Sequence, residues 1–269
     1  MAVKGLLRDK DMPADLRAGL GPVRAFHSYQ QVFEKAAVTA SSTGVSYDVP
    51  SEPDVFDQGD LGSCVLNATV GAMMMLLALE KLPLTMLSRL FLYYLCREKM
   101  GTVTQDSGTY TSLAVERVGS VGVCAESMWQ YLDANMYSAP SPQCYPAASD
   151  NKATAWFTIS ATGDARLTQL EAAIRSNHPV IYGAPVGSAL QNYTSGQVLT
   201  IPDQADIIGG HSTVFTGVRY IGGKRFWRIR NSWGKAWGDN GHFLIDDAYA
   251  GWDQLDDLHV MTRMNPEMF

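Results

Sequence analysis

The chain has 269 residues, a formal net charge of −6, and 46% hydrophobic against 18% charged residues, a balance that suits one large globular domain or two smaller ones sharing an interface. Acidity this mild, with no long basic run, makes nucleic acid a poor partner. The most apolar stretch, residues 70 to 79, falls far short of the roughly 20 residues that cross a bilayer, so no membrane association is expected. Charges interrupt the amino terminus every few residues, where a secretory leader needs an unbroken apolar core. The cytoplasm is therefore the default location, with export by a non-classical route still compatible. Four cysteines, Cys64, Cys96, Cys124 and Cys144, are too few for a disulfide-framed scaffold and lack the paired spacing of a zinc site. No metal and no cofactor is expected.

In chain order, residues 1–44 mix short helical signals with turns and end in the loop composition TASSTG; they read as an N-terminal extension. Residues 45–63 are extended and turn-rich, with Pro50, Pro53, Gly59 and Gly62. From Cys64 to about residue 135 the pattern is helical. VLNATVGAMMMLLALEKL is apolar on nearly all sides, as a central buried helix requires. LSRLFLYYLCREKM predicts an amphipathic helix, and TYTSLAVERVGSVG a third, ended by Gly119 and Gly122. The Pro-rich segment SAPSPQCYPAASD, residues 138–150, predicts a crossing between a helical half, 45–140, and a β-rich half, 141–269. It is flanked by Cys124 and contains Cys144, which read as free thiols able to bridge if oxidised. One short helix near LTQLEAAIRSN remains; then PVIYGAPV, HSTVFTGVRYIG, KRFWRIRNSW and GHFLIDD read as strands. Gly222-Gly223 forms the tight turn of a hairpin. The expected class is α+β.

Cys64 ends DQGDLGSC, where the extended segment turns into the central helix. Unpaired N–H groups and the macrodipole at a helix start favour a thiolate. Gly59 and Gly62 let backbone amides approach a ligand, and Gln58 offers a side-chain N–H toward the same point, the makings of an oxyanion hole. A lone cysteine before a helix also fits a packed small residue, so the choice rests on finding a base. His27, His178, His242 and His259 read as surface or partly packed rings. His211 differs: it follows Gly209-Gly210 and opens an apolar strand. Asn231, in RNSWGKAWGDNG, offers an amide oxygen that fixes the tautomer of such a ring, and Trp233 and Trp237 offer cover from water.

Gln58 with GSC ending at Cys64, GGH ending at His211, and the NSWG motif starting at Asn231 together resemble the papain-like cysteine proteases across about residues 45 to 260. Compact bacterial members of that family write the first motif as this chain does. The resemblance implies a papain-like two-domain α+β fold, with a helical left domain, an antiparallel β-barrel-like right domain and a cleft between them. It implies a cysteine endopeptidase that cleaves peptide bonds through a thiolate–imidazolium pair and a thioester. Carried over, Cys64 is the nucleophile, His211 the general base and acid, and Asn231 the residue that orients the imidazole. Gln58 and the Cys64 N–H form the oxyanion hole, and Trp233 shields the His–Asn contact. Ser107 and Gly108 stand where the family pairs with substrate backbone; Gly183, Gly209 and Gly210 fall near its main pocket, which is expected to be roomy.

There are departures. Leu61 and Val65 replace a customary cysteine and tryptophan beside the nucleophile, and residues 1–44 are too short for the usual helical propeptide. These residues are expected either to fold back near the cleft and restrict access, or to pack as an extension on the body. Two other readings of the fold are an acyl transferase using the same triad and a non-catalytic peptide-binding module.

Overall fold

Every residue from Cys64 to Leu77 is buried, and the rest of the chain is arranged around that helix. The computed structural model describes residues 3–20 and 44–264; His27 lies outside them. Among these the longer helices are α1 (Cys64–Leu79), α2 (Arg89–Met100), α3 (Thr111–Ser120) and α4 (Gly163–Arg175). The strands are β1 (Leu6–Leu7), β2 (Tyr47–Asp48), β3 (Thr109–Tyr110), β4 (Ala153–Thr158), β5 (Val180–Gly187), β6 (Val198–Leu199), β7 (Ile207–Ile221), β8 (Lys224–Arg230), β9 (His242–Asp246) and β10 (Asp256–Met264).

The run of apolar side chains on all faces of α1 has a simple cause: the helix is packed on both sides. One side meets α2 and α3, the other meets β7 and β10. Met75 of α1 joins the apolar cluster under the sheet, while Ile181, Val214 and Met261 from the sheet join the cluster among the helices. A helix so enclosed needs no polar face. At Gly71 an added Cβ would lie 3.3 Å from Arg230 Nε, so the missing side chain lets the Arg230 stem run along the helix. Helix α2 starts where Ser88 Oγ accepts from Phe91 N at 3.0 Å and stops at left-handed Gly101.

The large sheet runs β4-β10-β5-β7-β8-β9-β6, with β2 added to β7. All these pairings are antiparallel except β6 with β9. Both glycines of the β7–β8 turn take positive φ, 58° and 75°, the conformation a two-residue hairpin needs. Strand β4 was not expected; ATAWFT follows the Pro-rich crossing and pairs with β10 at the sheet edge. The readings of His242 and His259 as surface or partly packed rings need correction: the two are 6% and 3% exposed, and each has a carboxylate partner. Sequence gave no sign of those partners because both, Glu52 and Asp9, are remote along the chain.

Glu52 ties the extended segment before α1 to the strands. Its Oε1 accepts from Arg230 Nη1 at 3.0 Å and contacts His242 Nε2 at 2.5 Å, while Oε2 accepts from Arg228 Nη1 at 2.7 Å. Arg230, itself 2% exposed, also donates to the carbonyls of Pro53 and Asp54 at 2.7 and 2.6 Å. Burial alone would raise the Glu52 carboxyl, but the His242 hydrogen bond and the charges of His242, Arg228 and Arg230 outweigh it and bring the pKa to about 2. A carboxyl held below its ordinary 4.5 stabilises the fold fully above that pH and loses its contribution as pH falls toward 2. The expected loss over that window is about 3 kcal/mol, at 1.36 kcal/mol per unit. Urea titrations across the window should show this loss in the native chain and a much flatter profile in Glu52→Gln; parallel profiles would contradict the assignment.

Candidate active site

Cys64 opens α1 and is fully buried. Its sulfur lies against the backbone N–H of Ser212 on β7, and the amides of Cys64 and Val65 also face it. The residue before Ser212 is His211, paired across the ladder with Ala184 of β5. Its Nε2 is 2.8 Å from Asn231 Oδ1, and the same oxygen accepts from Ser232 N at 2.8 Å. An oxygen that accepts from the ring makes Nε2 the protonated nitrogen and leaves a lone pair on Nδ1. That Nδ1 is buried with no hydrogen-bond partner among the described residues. The imidazole stacks on Trp233 with centroids 5.0 Å apart, and Trp237 meets Trp233 edge-on at 5.0 Å. Both indoles are buried, so the His–Asn hydrogen bond sits away from water, where it is stronger.

Gln58 reaches this wall from the other half of the chain. Its N–H donates to Ser232 O at 2.8 Å, and Gly234 N donates to Phe56 O at 2.9 Å. The Gln58 amide oxygen accepts from Ser232 Oγ at 2.6 Å, and its nitrogen donates to Leu61 O at 2.9 Å, leaving a second amide N–H uncommitted. Three residues that sequence reasoning missed hold this loop. Tyr131 donates to Gln58 O at 2.9 Å and contacts Ser63 Oγ. Asn67 donates to Ser63 O at 2.9 Å. Arg89 donates to Asp57 O at 3.2 Å and to Asn67 Oδ1 at 3.0 Å, with its guanidinium 4.0 Å from the Tyr131 ring centroid. None lies in a motif; folding alone brings them there.

The chain's own amino-terminal segment runs across these residues. Gly5 O accepts from Thr109 N at 2.8 Å, and β1 pairs parallel with β3. Gly5 packs on the Gly62 carbonyl, and a Cβ on Gly108 would come within 2.5 Å of Gly5 O. Leu6 fills the space left by two glycines: an added Cβ on Gly183 would be 2.8 Å from its Cδ2, and one on Gly210 3.4 Å. Gly209 faces Val3 O in the same way, at 2.6 Å. These glycines meet because β5 and β7 pair Gly183 with Ser212, Pro185 with Gly210 and Val186 with Gly209. Ser107 is engaged within its own loop, its hydroxyl 2.9 Å from Thr102 Oγ1 and 3.1 Å from Gly108 O.

Farther on, Arg8 pairs with Asp256 and donates to Gln254 O at 2.6 Å. The Asp9 carboxylate accepts from Ser112 N at 3.1 Å, at the start of α3, and contacts His259 Nε2 at 3.1 Å. Asp9 N donates to Asp257 Oδ2 at 3.1 Å. Burial, with Asp9 and Asp256 nearby, pushes the Asp257 carboxyl up to about 8.

Burial dominates the electrostatics of this pair. Burial pushes the Cys64 thiol up to about 12 despite the amides around it, and pushes His211 down to about 4 despite Asn231. Burial thus favours the uncharged form of each. Cys96, Cys124 and Cys144 are likewise buried and free. Among the described residues no group of three or more His, Cys, Asp or Glu is placed to hold a metal ion, and no helix is long and apolar enough to cross a membrane.

The thiol opens a helix and lies against the Ser212 amide, one residue along the chain from an Asn-tethered imidazole, an arrangement suited to a thiol hydrolase. The family model described as papain family cysteine protease matches residues 47–258, and the chain belongs to that family; it is a cysteine peptidase. It is similar to xylellain, a cysteine protease from Xylella fastidiosa, at 26% identity and a TM-score of 0.76, with 98% of this chain and 97% of that one covered. An uncharacterized peptidase C1-like protein of Acanthamoeba polyphaga mimivirus is 28% identical over 77% of this chain and 68% of its own length. Mouse pro-cathepsin H is 24% identical over 71% of this chain and 56% of its own length. The fold is shared with procathepsin B of Trypanosoma congolense, at a TM-score of 0.69 and 17% identity over 98% of this chain and 86% of that one.

Leu6→Asp tests the cover directly. Fully burying a leucine contributes about 1.5–3 kcal/mol, so unseating it should speed alkylation of Cys64 by iodoacetamide roughly 10- to 100-fold, read by mass spectrometry of the Cys64 peptide. Equal rates in the two proteins would mean the segment does not limit access.

Proposed function

We propose that the chain is an endopeptidase in which Cys64 attacks a peptide carbonyl and His211 moves the proton. The reading rests chiefly on one observation: Asn231 occupies Nε2 of His211 and leaves Nδ1 unpartnered on the buried side. That nitrogen takes the proton from the thiol, giving a thiolate and an imidazolium held by Asn231. The thiolate adds to the carbonyl carbon. The developing oxyanion is met by the Cys64 N–H and the uncommitted Gln58 amide N–H. His211 then protonates the leaving amine, a thioester remains on Cys64, and water activated by the same ring hydrolyses it. Trp233 and Trp237 keep water off the His–Asn bond. Gly108, Gly183, Gly209 and Gly210 line the groove that takes substrate backbone and side chains, with Ser107 shaping its rim.

The resting chain is closed. Residues 3–6 lie along the groove, and β1 runs parallel to β3 with Gly5 O on Thr109 N. The substrate is a peptide or protein that replaces this segment, and uncovering the pair rehydrates it and lets the ion pair form. A reducing compartment suits four buried free thiols.

Cys64→Ala should abolish release of a dipeptidyl fluorophore, and Gln58→Ala should lower kcat/KM roughly 100- to 1,000-fold, the usual cost of one oxyanion donor. Retained hydrolysis in Cys64→Ala would sink the proposal. Labelling of Cys64 by a peptidyl epoxide without hydrolysis would instead indicate transfer to an acceptor other than water.

A further inference from the structure

One carboxylate in the groove draws its nearest cation from the amino-terminal segment. Asp106 sits in the loop before β3, and Gly62 N donates to its Oδ1 and Oδ2 at 3.0 and 2.9 Å. Tyr93 OH donates to Oδ1 at 2.8 Å. A neutral asparagine oxygen also accepts such bonds, less strongly than a carboxylate does. The negative charge is met at short range by Lys4 Nζ, 2.9 Å from Oδ2, the one cation among the described residues within 4.0 Å, while Arg97 acts on it from farther away. Lys4 belongs to the segment that substrate must displace. Once the segment leaves, Asp106, 15% exposed with the segment in place, faces the groove with no described cation within 4.0 Å.

Its place in the groove assigns it to a particular substrate residue. Gly62 lies two residues before Cys64, within about 7 Å along the chain, and Gly5 packs on the Gly62 carbonyl. A peptide that presents its scissile carbonyl to Cys64 sets the side chain preceding that bond beside Gly62, and so beside Asp106. Leu6 marks a separate apolar space at Gly183 and Gly210.

We propose, resting on the peptidase reading above, that Asp106 is a specificity-determining residue that selects peptides with arginine or lysine immediately before the cleaved bond. Lys4 is the chain's own occupant of that subsite. A partly buried carboxylate discriminates between a cation and a neutral isostere by charge, and salt screens that discrimination.

The test compares acyl-Leu-Arg and acyl-Leu-citrulline fluorogenic amides on the full chain and on the full chain carrying Leu6→Asp, at low and high salt. Citrulline keeps the shape of arginine without its charge. Arginine should be favoured about tenfold in kcat/KM, with the ratio falling as salt rises. Asp106→Asn should bring the ratio close to one and remove its salt dependence, and Asp106→Glu should restore much of both. Equal hydrolysis of the two amides by the native enzyme, a ratio indifferent to salt, or discrimination that survives in Asp106→Asn overturns the proposal while leaving the peptidase reading intact. The salt series on the unsubstituted Asp106 chain keeps the test decisive even if Asp106→Asn fails to fold. Failure to hydrolyse either amide overturns the peptidase reading and this proposal with it.

Discussion

The 2.8 Å hydrogen bond between His211 Nε2 and Asn231 Oδ1 decides which imidazole nitrogen carries a proton, and the remaining chemistry follows from that choice. It joins residues 20 apart that face one another only because β7 and β8 form a hairpin closed by two left-handed glycines. Asn231 Oδ1 is held a second time by Ser232 N, and the ring is backed by Trp233. A geometry fixed from three sides costs nothing to assemble when substrate arrives, and that is the physical content of preorganisation.

At Cys64 the surroundings pull the thiol's charge state in opposite directions. A helix start and three amides favour a thiolate at Cys64, yet burial outweighs them. The amino-terminal segment is held through one backbone hydrogen bond at Thr109, one leucine between glycines and one lysine on a carboxylate. Each is a modest interaction. The anchors at Arg8 and Asp9 add to them from outside the groove, so the hold on the segment is spread over several weak contacts.

The central helix, the amphipathic α2, the hairpin and the three separated motifs could all be read along the chain, because each depends on local periodicity or on a short run of fixed residue types. Strand β4 could not: ATAWFT has no strong alternation, and its strand character comes from pairing with β10 far along the sequence. The rings of His242 and His259 were misjudged for the same reason. Their burial depends on Glu52 and Asp9, 190 and 250 residues away, and neither carboxylate announces its partner. Arg89, Tyr131 and Asn67 support the Gln58 loop from positions that carry no pattern at all.

Sequence by itself determined the chemistry: a cysteine at a helix start, a histidine after two glycines and an asparagine in a tryptophan-rich turn are residue choices that covalent structure records. Only the tertiary structure decided the state in which those groups are found. Whether a thiol is ionised, whether a groove is empty and which charge stands beside it depend on burial and on distances through space, and those arise when segments remote in the chain, such as Lys4 and Asp106, come to lie side by side.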